Sequence, residues 1–262
     1  MSIITLLTDF GSQDYFVGAT KGAILTINAD ARIVDITHEI PPQDIRGAAF
    51  NLLAVYKDFP AGTIHVAVVD PGVGSERRGI IAKCAGQFFV GPDNGVFSWI
   101  CEREESCLAI HLTNETFFRH PVSHTFHGRD IFAPVAAALA SGVALEEFGS
   151  PIDDLVQLES VEPRRVDGGR LEATILHIDR FGNCITSLTR EHLGGAPKLM
   201  VNGREVSSFR EFFAAEAVDE DELFCLFGSA GFLEIAAQNS SAAKILGARP
   251  GDRVYAHSGC AD

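Results

Sequence analysis

The sequence predicts an α/β fold in two parts. An N-terminal α/β domain (residues 1–160) carries a mostly parallel or mixed central sheet, and a smaller C-terminal domain (161–262) is antiparallel and β-barrel-like. Three observations lead there. The chain has 262 residues, well beyond the roughly 150 of a common single domain. Residues 1–150 alternate β-branched runs with longer stretches of helical period, the pattern of βαβ units. After Pro151 that rhythm gives way to short strands separated by turn residues.

The elements follow in order. Residues 3–7 read as the first strand, 15–27 as a helix and 32–36 as the next strand. Asp44 then caps a helix whose Ala48, Ala49, Leu52, Leu53 and Tyr56 share one face before Pro60 stops it. Residues 63–69 make a fully buried strand, and 79–85 with 87–90 form a hairpin around Gly86. A short helix at 96–101, a strand at 108–112 and an alanine-rich helix at 130–140 complete the first part. Residues 161–169, with Glu162-Pro163 and Asp167-Gly168-Gly169, read as a linker. Beyond it come strands at 170–178, 183–188, 199–206 (turning at Asn202-Gly203), 223–227, 232–236 and 253–256.

With 46% hydrophobic and 21% charged residues, the composition is that of a soluble globule with a substantial core. Acidic residues number 35 against 21 basic ones, a net charge of −14 that argues against nucleic acid or an anionic membrane as partner. No apolar run approaches the roughly 18–20 residues of a membrane span. The first residues lack a positive region leading into an apolar one, and the reading is cytoplasmic. Cys84, Cys101, Cys107, Cys184, Cys225 and Cys260 contain no CxxC pair and no zinc spacing, so all six read as reduced thiols and no metal is expected.

Four polar clusters fall at strand ends, where an open α/β sheet holds its ligand. The first runs from Thr8 to Asp14. Asp9 and Asp14 there suit hydroxyls and an ammonium group, or Asp14 caps the following helix. The second, Val69 to Arg78, ends an apolar strand in Asp70 and turns to present Arg77, either as a functional ion pair or as a brace for the loop. It lacks the lysine of a phosphate loop and the third glycine of a dinucleotide loop. In the third, Thr125 to Asp130, His127 precedes a glycine at a helix start, and is either a packing residue or a catalyst with a lowered pKa. The fourth pairs Asp179-Arg180-Phe181-Gly182-Asn183 with the glycine-flanked Ser229, groups that suit an amino acid or a base edge, or simply make local turns. No GxSxG, HExxH or Walker A motif is present, which lowers covalent and metal-dependent schemes.

In order, Leu7-Thr8-Asp9-Phe10-Gly11, Val69-Asp70-Pro71-Gly72-Val73-Gly74, Gly91-Pro92-Asp93-Asn94-Gly95, Thr125-Phe126-His127-Gly128-Arg129-Asp130, Asp179-Arg180-Phe181-Gly182-Asn183 and the stretch from Gly228 to Ala236 span nearly the whole chain. Together they resemble the S-adenosylmethionine-dependent hydroxide adenosyltransferases, a family that includes the fluorinases and chlorinases. The resemblance implies hydrolysis of S-adenosylmethionine (SAM) at C5′ to adenosine and methionine, with no cofactor, by a homotrimer whose sites lie between one subunit's N-terminal domain and the next subunit's C-terminal domain. It implies that Asp9 binds the ribose hydroxyls, Asp14 and Asp179 the ammonium, Asn183 the adenine edge and Ser229 the carboxylate. The aromatic on the adenine is Phe209, Phe212 or Phe213. In the hydrolase branch an Asp, an Arg and a His organise water, and these match Asp70, Arg77 and His127. The halogenases place a tyrosine at the histidine's position and an arginine beside the serine; His127 and Ala230 stand there instead. The alternatives are a chlorinase-like halogenase and a non-catalytic adenosine- or SAM-binding protein.

Chemistry supports the first reading independently. A sulfonium is an excellent leaving group, so displacement needs a nucleophile in line and protection from bulk solvent. A guanidinium and an imidazole on one water would stabilise its anionic form. Acidic groups around the site, and the net negative charge, suit a cationic small molecule.

Overall fold

The computed structural model describes residues 2–104, 106–166, 169–193, 195, 197–213 and 221–257. Cys260 and the Asp167-Gly168 pair lie outside the described residues. The chain divides into two compact units, Met1–Glu159 and Ser160–Asp262.

The first unit runs β1 (Ile3–Thr8), α1 (Phe16–Ile27), β2 (Arg32–Thr37), α2 (Ile45–Val55), β3 (Ile64–Val68), β4 (Gly79–Cys84), β5 (Gln87–Pro92), α3 (Ser98–Arg103), β6 (Cys107–Leu112), α4 (Ala133–Ala140) and β7 (Gly149–Ile152). Its seven strands lie in the order β2-β1-β3-β5-β4-β6-β7. The first four are parallel, while β5-β4, β4-β6 and β6-β7 are antiparallel, so the expected mixed sheet is present. Because side chains alternate along a strand, β1 and β3 show each helical layer a different set. Ile4, Leu6, Val66 and Val68 join Ala23 and Ile24 of α1 and almost all of α4 in one core. On the other face the His65 ring stacks on Phe89 and meets Phe59 edge-on.

That second face contains a buried polar chain. Gln87 Nε2 donates to the carbonyls of Tyr56 and Phe59, just beyond α2, which turns its Oε1 toward His65 Nε2 at 3.2 Å. His65 Nε2 therefore carries the proton, and its Nδ1 accepts from Thr5 Oγ1 at 2.8 Å. The ring is fully buried, and burial pushes its pKa down to about 4.

Three departures from the sequence reading have local causes. The helix expected at 130–140 opens as a π turn over Gly128–Phe132 and becomes α only from Ala133. Pro134 has no N–H for the Asp130 carbonyl, which instead takes the Arg119 amide at 2.8 Å. Strand β7 went unpredicted because Pro151 sits in it, which is tolerated at the edge of a sheet. The linker expected at 161–169 contains a strand, β8 (Arg164–Val166), too short to show a period and held by pairing with the strand that follows.

In the second unit β8 is followed by β9 (Arg170–Ile178), β10 (Cys184–Thr189), β11 (Lys198–Val201), β12 (Arg204–Val206), β13 (Ser208–Phe209), β14 (Leu223–Phe227), β15 (Phe232–Ala237), α5 (Ala242–Leu246) and β16 (Arg253–His257). The order is β12-β11-β16-β9-β10-β15-β14-β13, with β8 on β9, and every pairing except β13-β14 is antiparallel. Strands β12 and β14, from opposite halves of that order, also touch, which makes the sheet barrel-like. The β11-β12 turn has Asn202 at φ 49° and Gly203 at φ 78°, as the Asn-Gly pair predicts. Leu171, Ile175, Leu188, Val201, Ile235 and Val254 fill its interior. Among the described residues no helix is long and apolar enough to cross a membrane.

His65 gives a pH signature. Its pKa is depressed in the folded state, so its neutral form contributes fully above the unfolded value of 6.5 and that contribution is lost as pH falls toward 4. Denaturant unfolding should show about 3 kcal/mol of stability lost across that window through this group. A His65→Gln variant should show a correspondingly shallower decline.

Candidate functional site

The order of the first sheet fixes where a ligand can sit. From β1 the chain crosses by α1 to β2 on one side, and from β2 it returns by α2 to β3 on the other side of β1. The connections therefore part at the carboxyl ends of β1 and β3, the place where such sheets open a crevice. A cavity of about 300 Å³ lies there, lined among others by Asp9, Phe10, Asp70, Thr125, Phe126 and His127.

Asp70 follows β3, and the chain then folds back within seven residues. Val73 N donates to the Asp70 carbonyl, Ser75 N and Oγ to the Gly72 carbonyl, and Arg77 N to Ser75 Oγ. Gly74, at φ 79°, lies where a Cβ would stand 2.2 Å from the His124 carbonyl oxygen, so only glycine lets the 70–78 and 123–128 loops meet. Arg77 is thereby returned to Asp70. Its Nε lies 3.0 Å from both carboxylate oxygens and its Nη2 bonds Oδ2, while the guanidinium sits over the Phe132 ring at 5.2 Å. The two side chains are only 5% and 11% exposed, so the pair is held largely out of water.

The same Nη2 lies 2.6 Å from His127 Nδ1. A guanidinium can only donate, so Nδ1 is the acceptor and the neutral ring carries its proton on Nε2. Burial first, and then the Arg77 charge, push the His127 pKa below its usual value and favour this neutral form. The Asp70–Arg77 pair thus braces its loop and also sets the tautomer of the histidine beside the cavity.

Asp130, fully buried, holds the His127 loop from beneath. Its carboxylate accepts Ser123 N at 2.9 Å and both Arg129 Nε and Nη2, at 2.6 and 2.8 Å, and these partners outweigh burial to keep its pKa low. The sequence showed Asp130 as part of a motif and gave it no function. An acid just inside an apolar helix was the available signal. Asp9 Oδ2 accepts the Gln43 amide at 2.8 Å, and Gln43 itself adopts φ 67°, an uncommon conformation for that residue. Asp14 is exposed and does not cap α1, whose N-cap residue is Tyr15.

The second unit has its own cavity, of about 750 Å³, and Asp179, Asn183 and Ser229 line it together. Asp179 Oδ1 accepts from the amides of Phe181 and Asn183, and Oδ2 from Asn183 Nδ2 at 2.9 Å. The turn is thus a rigid Asx turn with one more lone pair on Oδ2 to offer. Of the three candidate aromatics Phe209 packs edge-on against Phe227, Phe212 and Phe213 are both exposed, and Phe213 lines this cavity. Glu234 also lines it, its pKa raised by burial and by the neighbouring Asp179. The sequence showed it within the Gly228–Ala236 motif, alternating with the apolar Leu233 and Ile235 of β15, and assigned it no role. Two carboxylates in one cavity suit a cationic group.

Residues 4–149 match the family model of the SAM hydroxide adenosyltransferase N-terminal domain, and residues 173–255 that of the C-terminal domain. A protein of Methanocaldococcus jannaschii named (R)-S-adenosyl-L-methionine hydrolase is 36% identical over 258 residues, covering 94% of this chain and 92% of its own. One of the same name from Thermus thermophilus is 37% identical over 261 residues, 96% and 98% of the two chains. A fluorinase of an Actinoplanes species is 27% identical over 217 residues, 73% of each. The crystal structure of an uncharacterized conserved protein from Thermotoga maritima superposes with a TM-score of 0.89 at 35% identity, over 97% of this chain and 99% of that one. On the match of both domains and of full-length relatives, this chain belongs to the SAM hydroxide adenosyltransferase family.

Proposed function

We propose that the protein hydrolyses S-adenosyl-L-methionine by attack of water at C5′, giving adenosine and L-methionine. The observation that carries this is the chain Asp70–Arg77–His127, which ends in an imidazole N–H beside a cavity. The oxygen of water forms the new bond to C5′, the C5′–S bond breaks, and its electron pair leaves on the methionine sulfur, neutralising the sulfonium. The proton of the water passes to solvent. Arg77 and His127 Nε2–H favour that proton loss by stabilising the hydroxide it leaves, whose charge is spent as the bond to C5′ forms, and Asp70 keeps the guanidinium oriented. His127 carries its proton on the nitrogen available to donate, so it acts as a hydrogen-bond donor and not as the base.

In this reading Asp9 binds the ribose hydroxyls, Asp14 and Asp179 the ammonium, Asn183 the adenine edge, Ser229 the carboxylate, and Phe213 stacks on the base. Support comes from the shared cavity of the last four, from the fixed Asp179 turn, and from the negative charge of the cavity walls. A homotrimer, with sites completed at subunit interfaces, and a cytoplasmic location belong to the same proposal. Light scattering on the purified protein should return three times the 28.2 kDa chain mass.

Relatives named for the (R) sulfonium epimer favour that form as substrate. Incubation with each epimer in ¹⁸O-labelled water should give adenosine, faster from the (R) form, with the label in its 5′ hydroxyl. Intact substrate that binds without turning over would mean a binding protein, and 5′-chloro-5′-deoxyadenosine in high chloride would mean a halogenase.

Two variants separate the roles. Arg77→Lys keeps the charge and loses the fork, and should lower kcat about 100-fold with KM little changed. Asp9→Asn keeps an acceptor for the Gln43 amide and loses the charge, and should raise KM about tenfold with kcat little changed. Steady-state kinetics with liquid chromatography of adenosine reads both, and equal kinetics in wild type and Arg77→Lys would remove the water-organising assignment.

A further inference from the structure

Cys84, Cys101 and Cys107, whose sequence intervals match no metal motif, are brought together by the fold. The Sγ atoms of Cys84 and Cys107 lie 2.6 Å apart, those of Cys101 and Cys107 2.7 Å, and those of Cys84 and Cys101 3.5 Å. Cys84 ends β4 and Cys107 begins β6, directly opposite it across the antiparallel pair, while Cys101 comes from α3. All three are free cysteines. Cys84 is buried, and Cys101 and Cys107 are half-buried, which gives the cluster a route to solvent.

Ordinary packing explains this poorly. Thiols are weak donors and weak acceptors, so three sulfurs turned on one another satisfy little. A disulfide would join two and strand the third. A shared cation uses all three, and an all-sulfur set with neither imidazole nor carboxylate selects a soft ion over magnesium or calcium. Bonds of about 2.3 Å at tetrahedral angles set sulfurs about 3.7 Å apart, so the triangle opens by about an ångström on two of its edges as the ion enters, and a fourth position stays for a non-protein ligand.

We propose that Cys84, Cys101 and Cys107 form a three-thiolate site for a soft d¹⁰ cation, Zn(II) or Cu(I). As each S–metal bond forms, the thiol proton goes to solvent and no electron is transferred. The site is remote from the chemistry, because β4 runs its full six residues, about 20 Å of strand, between Arg78 and the cysteine cluster. The ion clips α3 to the antiparallel half of the sheet and acts on stability. It takes no part in the attack on C5′.

The test uses reduced, metal-free, full-length protein under nitrogen. Zn(II) alone is titrated against a chromogenic zinc chelator, and Cu(I) alone against a Cu(I) chelator. At least one should bind as a single ion per chain and raise the unfolding temperature. Cd(II) loading should give a thiolate-to-metal charge-transfer band. Cys101→Ser and Cys107→Ser, at half-buried positions, should abolish the band and the stoichiometric uptake, while Cys184→Ser and Cys225→Ser, in the second unit, keep both. The proposal is overturned if neither ion competes with its chelator, if the Cys101 and Cys107 variants bind like wild type, or if mass analysis of the protein as purified, before reduction, finds two of the three thiols joined as a disulfide with no ion bound.

Discussion

One guanidinium organises the first cavity. Arg77 spends two of its donors on Asp70 and one on His127 Nδ1, and each contact depends on the others. A fork gripped by a carboxylate cannot rotate, so the donor aimed at the imidazole is fixed. An imidazole that accepts at Nδ1 must donate at Nε2. The buried charge pair would be costly if it served only to brace a loop. Its hydrogen bonds offset that cost, and what they fix is a neutral histidine with its N–H presented beside the cavity.

The rest of the first unit makes that contact reachable. The parting of connections around β1 opens the crevice, and Gly74 lets the loop bearing Arg77 press against the backbone before His127. Asp130 and Pro134 act from the other side. One ties the 119–123 segment down, and the other widens the first turn of the helix so that the Asp130 carbonyl serves Arg119. The second unit works by a different principle, a rigid Asx turn and two carboxylates within one cavity, which suits recognition of a cation more than chemistry on it.

Legibility followed range. Strands β1, β3 and β9, helix α2 with its Asp44 cap, and the Asn202-Gly203 turn were readable because each is decided by residues a few positions apart. Asp9, Asp70 and His127 were readable as residues at strand and helix ends and through the order of their motifs. Less visible was what long-range packing decides. Asp14 could be read as a cap, yet the helix begins without one. The π turn depends on Arg119, eleven residues upstream of the carbonyl it binds. Glu234 lies in a motif and an alternating strand, neither of which shows the cavity it faces, and that Phe213 lines this cavity needed the shape of the barrel-like sheet. The cysteine triad is the extreme case, since spacings of 17 and 6 residues carry no motif until the hairpin and α3 close on one another.

The chain from Asp70 through Arg77 fixes the protonation of one ring. In ¹⁵N-labelled protein at neutral pH, NMR of the His127 side chain should show Nδ1 unprotonated and hydrogen-bonded, and Nε2 carrying the proton, with this pattern lost in Arg77→Lys. A His127 that is an imidazolium at neutral pH, or whose proton resides on Nδ1, would contradict it.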